Sequence, residues 1–318
     1  MAVERSDADK GLMDQHALPW VEANEDDAHA AADRLRPFGA KFADDRADAA
    51  KAVERLVSSG QGEANKALAE HWEGLAAQFS QVSSAAGTIA DGMDGCGDIV
   101  SGAKNAVLDL VHNLRSSVSR LSDAMMPTTD TALTQAEAAE AEKVRPRFQA
   151  EVTSATTHGE ERLKRVRNDS AVGSLKSIAG LPEGTGGGTD RQGDGTGGQA
   201  ADRMHLASAG GSWWGDLIHD DDEHTHAAKR LGKIADHIRD TTSQPLAQAV
   251  LAVTELGASG AVGASLAAGI RPLLDDLVLA SLALADHLTG PLTGAIKAAA
   301  EEQKRRQDEI RDRFGWRR

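Results

Sequence analysis

The chain has 318 residues, enough for one to three domains with a sizeable core. Its formal net charge of −14 argues against sequence-independent nucleic-acid binding, which needs a basic footprint. Five Phe, five Trp and no Tyr leave the core to Leu, Ala, Val and Ile, a composition of long packed helices rather than of sheets. The single Cys96 cannot form an internal disulfide and reads as a small hydrophobe on an apolar helix face. Residues 1–27 are polar and acidic, without the apolar stretch of a cleavable signal. In the apolar C-terminal half, Glu255, Arg271, Asp275 and Asp286 interrupt every run short of the roughly 20 residues of a membrane span. A cytoplasmic protein is expected, or one exported by a route that reads no cleavable signal.

The first long helix is expected to start at Asn24, a good cap, with Glu25, Asp26 and Asp27 at the positive end of the helix dipole. Leu35, Phe38, Phe42, Ala49, Val53 and Leu56 follow at helical spacing. Pro37 inside this pattern predicts a kink or a second start. A polar break at 58–63, with two glycines, ends the run.

The second helix carries Leu68, Trp72, Leu75, Phe79, Val82, Ala86, Ile89, Met93, Cys96 and Val100 in alternating steps of four and three. That is the 3.5-residue period of coiled-coil packing, extended by Val107, Leu110, Leu114 and Leu121. Gly92, Gly95, Gly97 and Gly102 each cost about 1 kcal/mol relative to Ala in a helix interior, so a kink or break is expected near 92–102. Residues 130–178 read as a more polar helical region divided by Pro146, which needs partners or lies largely in solvent.

Residues 182–198 are Gly-rich and polar, the composition of a flexible linker. Beyond it an acidic helix start at 220–223 leads into the stripe Ala227, Leu231, Ile234 and Ile238. Pro245 opens a helix with Leu246, Val250 and Val253. The small, Gly-rich stretch 257–263 reads as a turn or a tight packing site in a soluble protein, although its spacing also suits close helix contact in lipid. Ile270, Leu274, Leu277, Leu284 and Leu288 form the next stripe, Gly290-Pro291 breaks it, and 297–313 mixes charges as an exposed helix does.

The expected fold is all-α: an elongated antiparallel helical hairpin, a flexible linker and a second helical bundle. The boundaries are 15–126 for the hairpin, 127–180 for a polar helical extension, 181–212 for the linker and 213–318 for the C-terminal bundle.

Trp72-Glu73-Gly74, placed just after the 58–63 break and between two helices, resembles the W-x-G family of type VII (ESX) secretion substrates. The stretch 89–100, Ile-Ala-Asp-Gly-Met-Asp-Gly-Cys-Gly-Asp-Ile-Val, with Ala103-Lys104 after it, is similar to the second helix of the longer W-x-G-like domains that head actinobacterial polymorphic toxins and effectors. Leu18-Pro19-Trp20 before the first helix fits that subgroup. The resemblance covers about residues 15–125 and none of 200–318. It implies a W-x-G-like hairpin that pairs with another W-x-G-type hairpin or with itself. It also implies export by an ESX-type ATPase from a cytoplasmic pool, without a signal peptide. By position, Trp72 and Gly74 are the candidate recognition motif. The family's Tyr-x-x-x-Asp/Glu export element has no counterpart in a chain without Tyr.

For Trp72 alone, core packing and packing combined with recognition both remain open. The seam available to a helical partner is Leu68, Leu75, Phe79, Val82, Ile89 and Met93. Trp213-Trp214-Gly215 is formally a second W-x-G, read as an anchor for the chain entering the C-terminal bundle. His219, Asp220, Asp221, Asp222, Glu223, His224 and His226 contain metal-ligand residue types. Consecutive carboxylates are also what a helix start favours, and no HExxH is present, so no metal site is expected. Neither a phosphate loop nor a G-x-S-x-G occurs, so no cofactor and no enzymatic activity are expected. The reading is a non-enzymatic secretion substrate or secretion-associated protein acting through helix–helix contacts. A membrane-active effector using the helices of 246–288, or an intracellular helical scaffold, are the alternatives.

Overall fold

The computed structural model describes residues 2–59, 63–124, 130–180 and 221–314. The fold is all-α, as the composition requires, with no strand among these residues. In chain order the helices are α1 (Asp7–Gln15), α2 (Glu25–Ser59), α3 (Glu63–Ala124), α4 (Asp130–Arg167), α5 (Ser170–Ile178), α6 (Asp221–His237), α7 (Ser243–Ala258), α8 (Gly260–His287) and α9 (Thr293–Phe314). Two π-turns, Ile238–Thr242 and Leu288–Leu292, join α6 to α7 and α8 to α9. The linker at 181–212, the polar break at 60–62 and Trp213-Trp214-Gly215 lie outside the described residues.

Asn24 caps α2 as its chemistry predicts, its Oδ1 accepting the Asp26 amide at 3.2 Å. The helix then continues through Pro37 to Ser59, so Pro37 marks no second start. Likewise α4 passes Pro146 unbroken, and α8 passes Pro272. A helical proline orphans the carbonyl four residues earlier. Here both members of each pair are exposed: Pro37 and Asp33, Pro146 and Glu142, Pro272 and Ala268. Water can satisfy each freed carbonyl, so the helices continue.

Nor does α3 break at its glycines. Gly92, Gly95 and Gly97 sit where neighbours come closest. A Cβ on Gly92 would lie 2.5 Å from a Val166 methyl, one on Gly95 2.7 Å from Arg162 Nε, and one on Gly97 2.6 Å from His29 Nε2. Gly102 has open space around it. The heptad column from Leu68 to Val100 is buried throughout. Past Val100 the buried apolar residues are Ala103, Val107, Val111 and Leu114, with Leu110 and Leu121 half-exposed. The helix returns there toward a 3.6-residue period, which turns Leu110 out and Val111 in.

The chain forms two compact units, and the expected boundaries at 126, 180 and 212 do not separate them. One comprises Met1–Arg36, Gly87–Val172 and Pro245–Asp275; the other comprises Pro37–Ala86, Gly173–Gln244 and Asp276–Arg318. Each therefore mixes segments from both sides of the linker. The reason is burial: the apolar stripes of α6 to α9 need cover, α8 finding α4 in the first unit and α6 finding α9 in the second.

In the first unit, α2 and α3 meet at His29 with Asp94 and at Arg36 with Asp91 and Asp94. Helix α4 offers a narrow seam of Ala141, Phe148, Ala155, Gly159, Leu163 and Val166. Its contacts depend on small residues. A Cβ on Gly159 would come within 2.3 Å of Leu266, and one on Gly269 within 2.6 Å of Leu163. Arg167 also donates to the Gly269 carbonyl at 2.9 Å, and Ser265 donates to Glu160 at 2.8 Å. The glycine-rich stretch 257–263 is a tight helical corner. Gly260 adopts φ +82°, and a Cβ on Gly263 would lie 2.2 Å from the Leu256 carbonyl oxygen. Ser259 ties this corner to the start of α2 by accepting the Asn24 amide at 3.1 Å.

In the second unit, aromatic rings hold α2 against α3. Phe38, Phe42 and Phe79 form a continuous stack, with ring centres 5.6 Å and 4.9 Å apart, and Trp72 extends it 6.4 Å from Phe79. Arg46 donates to Ser80 at 2.7 Å, and Asn65 to the Val57 carbonyl at 3.3 Å. Partners thus fall along α3 as they rise along α2, an antiparallel pairing. The stripe Ala227, Leu231, Ile234 and Ile238 is buried, as are Leu277, Leu284 and Leu288.

Candidate functional site

Trp72 does not stand at the bend. It lies within α3, several turns after Glu63, and is 8 % exposed at the end of the phenylalanine stack. Glu73 and Gly74, next to it, are exposed. A Cβ on Gly74 would meet nothing within 4 Å, so close packing does not require glycine there. The candidate motif is therefore a buried anchor beside a small open patch on the outer face of α3.

All six seam residues are buried. Leu68, Leu75, Phe79 and Val82 lie in the second unit, and Ile89 and Met93 in the first. The chain's own helices cover them, so a partner helix would have to use other faces. Cys96 is buried too, and burial pushes its thiol up to about 11 against the opposing charge of Arg162. It behaves as the small hydrophobe the sequence suggests.

Leu18-Pro19-Trp20 is held by charge as well as by packing. Leu18 is buried, and Arg145 donates to the carbonyls of His16 and Ala17 at 2.9 and 3.0 Å. Trp20 lies under the Arg5 guanidinium at 5.0 Å and near the Lys104 ammonium at 5.9 Å. Lys104 in turn donates to Glu25 at 2.5 Å, their side chains 6 % and 3 % exposed. Burial raises the Glu25 carboxyl, but hydrogen bonds from Lys104 and the Val3 amide outweigh it and hold the group below its ordinary value. Lys104 and Trp20 are thus bound into one cluster in the first unit.

The second unit contains an arrangement that sequence reasoning missed. Asp45 on α2 is buried, and its two oxygens serve different donors of the first π-turn region. His237 Nδ1 lies 2.8 Å from Oδ1, and Thr242 Oγ1 donates to Oδ2 at 2.6 Å. The second π-turn region repeats the local chemistry. His287 ends α8 as His237 ends α6, and its Nε2 lies 2.9 Å from Nε2 of His71 on α3. In both turns a hydroxyl five residues on donates to the first carbonyl of the turn: Ser243 to Ile238, which also accepts the Ser243 amide, and Thr293 to Leu288, each at 2.7 Å. The signal was in the sequence: Ile234-Ala235-Asp236-His237-Ile238 recurs as Leu284-Ala285-Asp286-His287-Leu288, fifty positions on.

From the acidic run ahead of His224, Glu223 accepts a hydrogen bond from Arg55 as one half of an ion pair. His219 and Asp220 lie outside the described residues, and among those described no group of three or more His, Cys, Asp or Glu could hold a metal ion. No described helix is long and apolar enough to cross a membrane. Comparison with models of known families, with characterised proteins and with solved structures finds no match to this chain.

Proposed function

We propose that this chain is a non-enzymatic substrate of a type VII secretion system, or a protein associated with one, acting through helix–helix contacts. The observation that carries this reading is the setting of Trp72-Glu73-Gly74. Trp72 is buried beside Phe79, whose ring stacks on Phe42 of α2 in an antiparallel pair, and the Glu73–Gly74 patch next to it stays open to a partner. The glycine costs helix stability of about 1 kcal/mol and returns no packing benefit, which suits a position kept small for a partner. On this reading an ESX-type ATPase or a helical W-x-G-type partner docks over Gly74, and the seam residues Leu68 to Met93 keep the pair rigid during export. The export element that the absent Tyr would provide comes from the partner.

The test is export from a host that carries a type VII system, with and without its ATPase. The protein should appear outside the cell only with the ATPase. Gly74→Arg should fold and accumulate inside, because the site has room for a side chain but a docked partner does not. Equal extracellular levels with and without the ATPase would sink the proposal.

A further inference from the structure

The two π-turns look alike and grip α2 and α3 through histidines with different partners. His237 faces a buried carboxylate, a pure acceptor for its Nδ1–H. His287 faces another imidazole. Its ring centre and that of His71 are 5.1 Å apart while their Nε2 atoms are 2.9 Å apart. The first distance exceeds the second by about two centre-to-nitrogen radii, so the nitrogens meet head-on along one line. That is the geometry of a single N–H···N bond, one ring donating and the other accepting.

Proton balance then fixes the behaviour. With one proton added, an imidazolium donates to a neutral imidazole, and the bond survives. With two, both nitrogens are donors, no acceptor remains, and two like charges stand in contact. We infer that the second π-turn region is an acid-labile clasp on α3, released when His71 and His287 are both protonated, whereas the first, whose donors face the Asp45 carboxylate, has no such donor-against-donor conflict.

The surroundings offer the pair no compensating charge. On α8 the neighbouring Asp286 is engaged by Arg239 at 2.7 Å, and Arg239 also holds Asp236 of the α6 end at 3.1 Å. On α3 Glu70 pairs with Lys66 at 4.0 Å, and Glu73 is exposed. Lys229, Arg230 and Lys233 of α6 are exposed, as is Lys297, the first charged residue of α9. Burial lowers the affinity of both rings for protons, and His71 lowers that of His287 further. The sign follows: a depressed value in the folded state contributes stability above the ordinary histidine value of 6.5, and that stability is lost as pH falls through the folded value. The clasp therefore holds at neutral pH and yields in acid.

Hydrogen exchange on the full chain, corrected for intrinsic rates, tests this at about pH 7 and about pH 5. Protection across 288–292 should fall by about tenfold or more on acidification, while that across 238–242 holds. His71→Gln leaves one titratable ring facing an amide that can accept, so the acid-induced loss at 288–292 should shrink to what burial of a single ring produces. His287→Gln should shrink it too, which guards against a folding defect peculiar to either variant. Loss of protection at both turns together, no loss at 288–292, or an undiminished loss in the two variants would each overturn the inference.

Discussion

The two halves of α3 keep the same heptad column but pack it in opposite ways. From Leu68 to Val82, in the second unit, large rings fill the space: Phe79 stacks on Phe42 of α2, with Phe38 beyond it and Trp72 beside Phe79. From Gly92 to Gly97, in the first unit, the helix offers no side chain at three positions, and Val166, Arg162 and His29 reach in. A wide gap filled by aromatics and a narrow one opened by glycines both give a continuous buried seam. The comparison teaches that glycines in a helical register can mark proximity as well as weakness.

Three substitutions test this contrast. Phe79→Ala should have the largest effect, because Phe79 is fully buried between Trp72 and Phe42. Unfolding in urea should show a loss of about 3–5 kcal/mol, and a loss below about 1 kcal/mol would mean the aromatic stack does not hold this half. Gly92→Ala should cost less. Overpacking against the stiff Val166 side chain costs about 1–3 kcal/mol, and better helix propensity returns about 1 kcal/mol, leaving a net destabilisation. A gain in stability there would refute the close-approach account. Gly74→Ala is the counterpart with open space. It should stabilise the protein by about 1 kcal/mol, seen as a higher urea midpoint with an unchanged slope.

The legible parts were those that depend on neighbours in the chain. Asn24 and the acidic residues after it marked the start of α2, and the steps of four and three marked the buried column up to Val100. The stripes of α6 and α8 were legible for the same reason. Val250 was not: it is half-exposed, while Ala249, Ala252, Val253 and Leu256 are buried, because α7 turns its smaller residues inward. Prolines 37, 146 and 272 could not be read correctly without knowing which face of each helix meets water. Of the candidate site, the identity of Trp72 and Gly74 was legible, but not that one is covered and the other open. The contact between His71 and His287 joins residues 216 positions apart and leaves no local signature.

The sequence by itself determined that the protein is helical, where the long helices start, and which face of each is apolar. Those properties follow from propensity, capping and period, which act within a few residues. Only the tertiary structure decided that α3 runs unbroken through its glycines, that each compact unit draws on both sides of the linker, and that Gly290-Pro291 falls in a π-turn rather than ending the helical path. Each of these depends on what approaches from elsewhere in the chain: a Val166 methyl against Gly92, an apolar stripe in need of cover, a hydroxyl on Thr293 able to satisfy the carbonyl of Leu288. Such approaches are set by packing, to which single-residue preferences are blind.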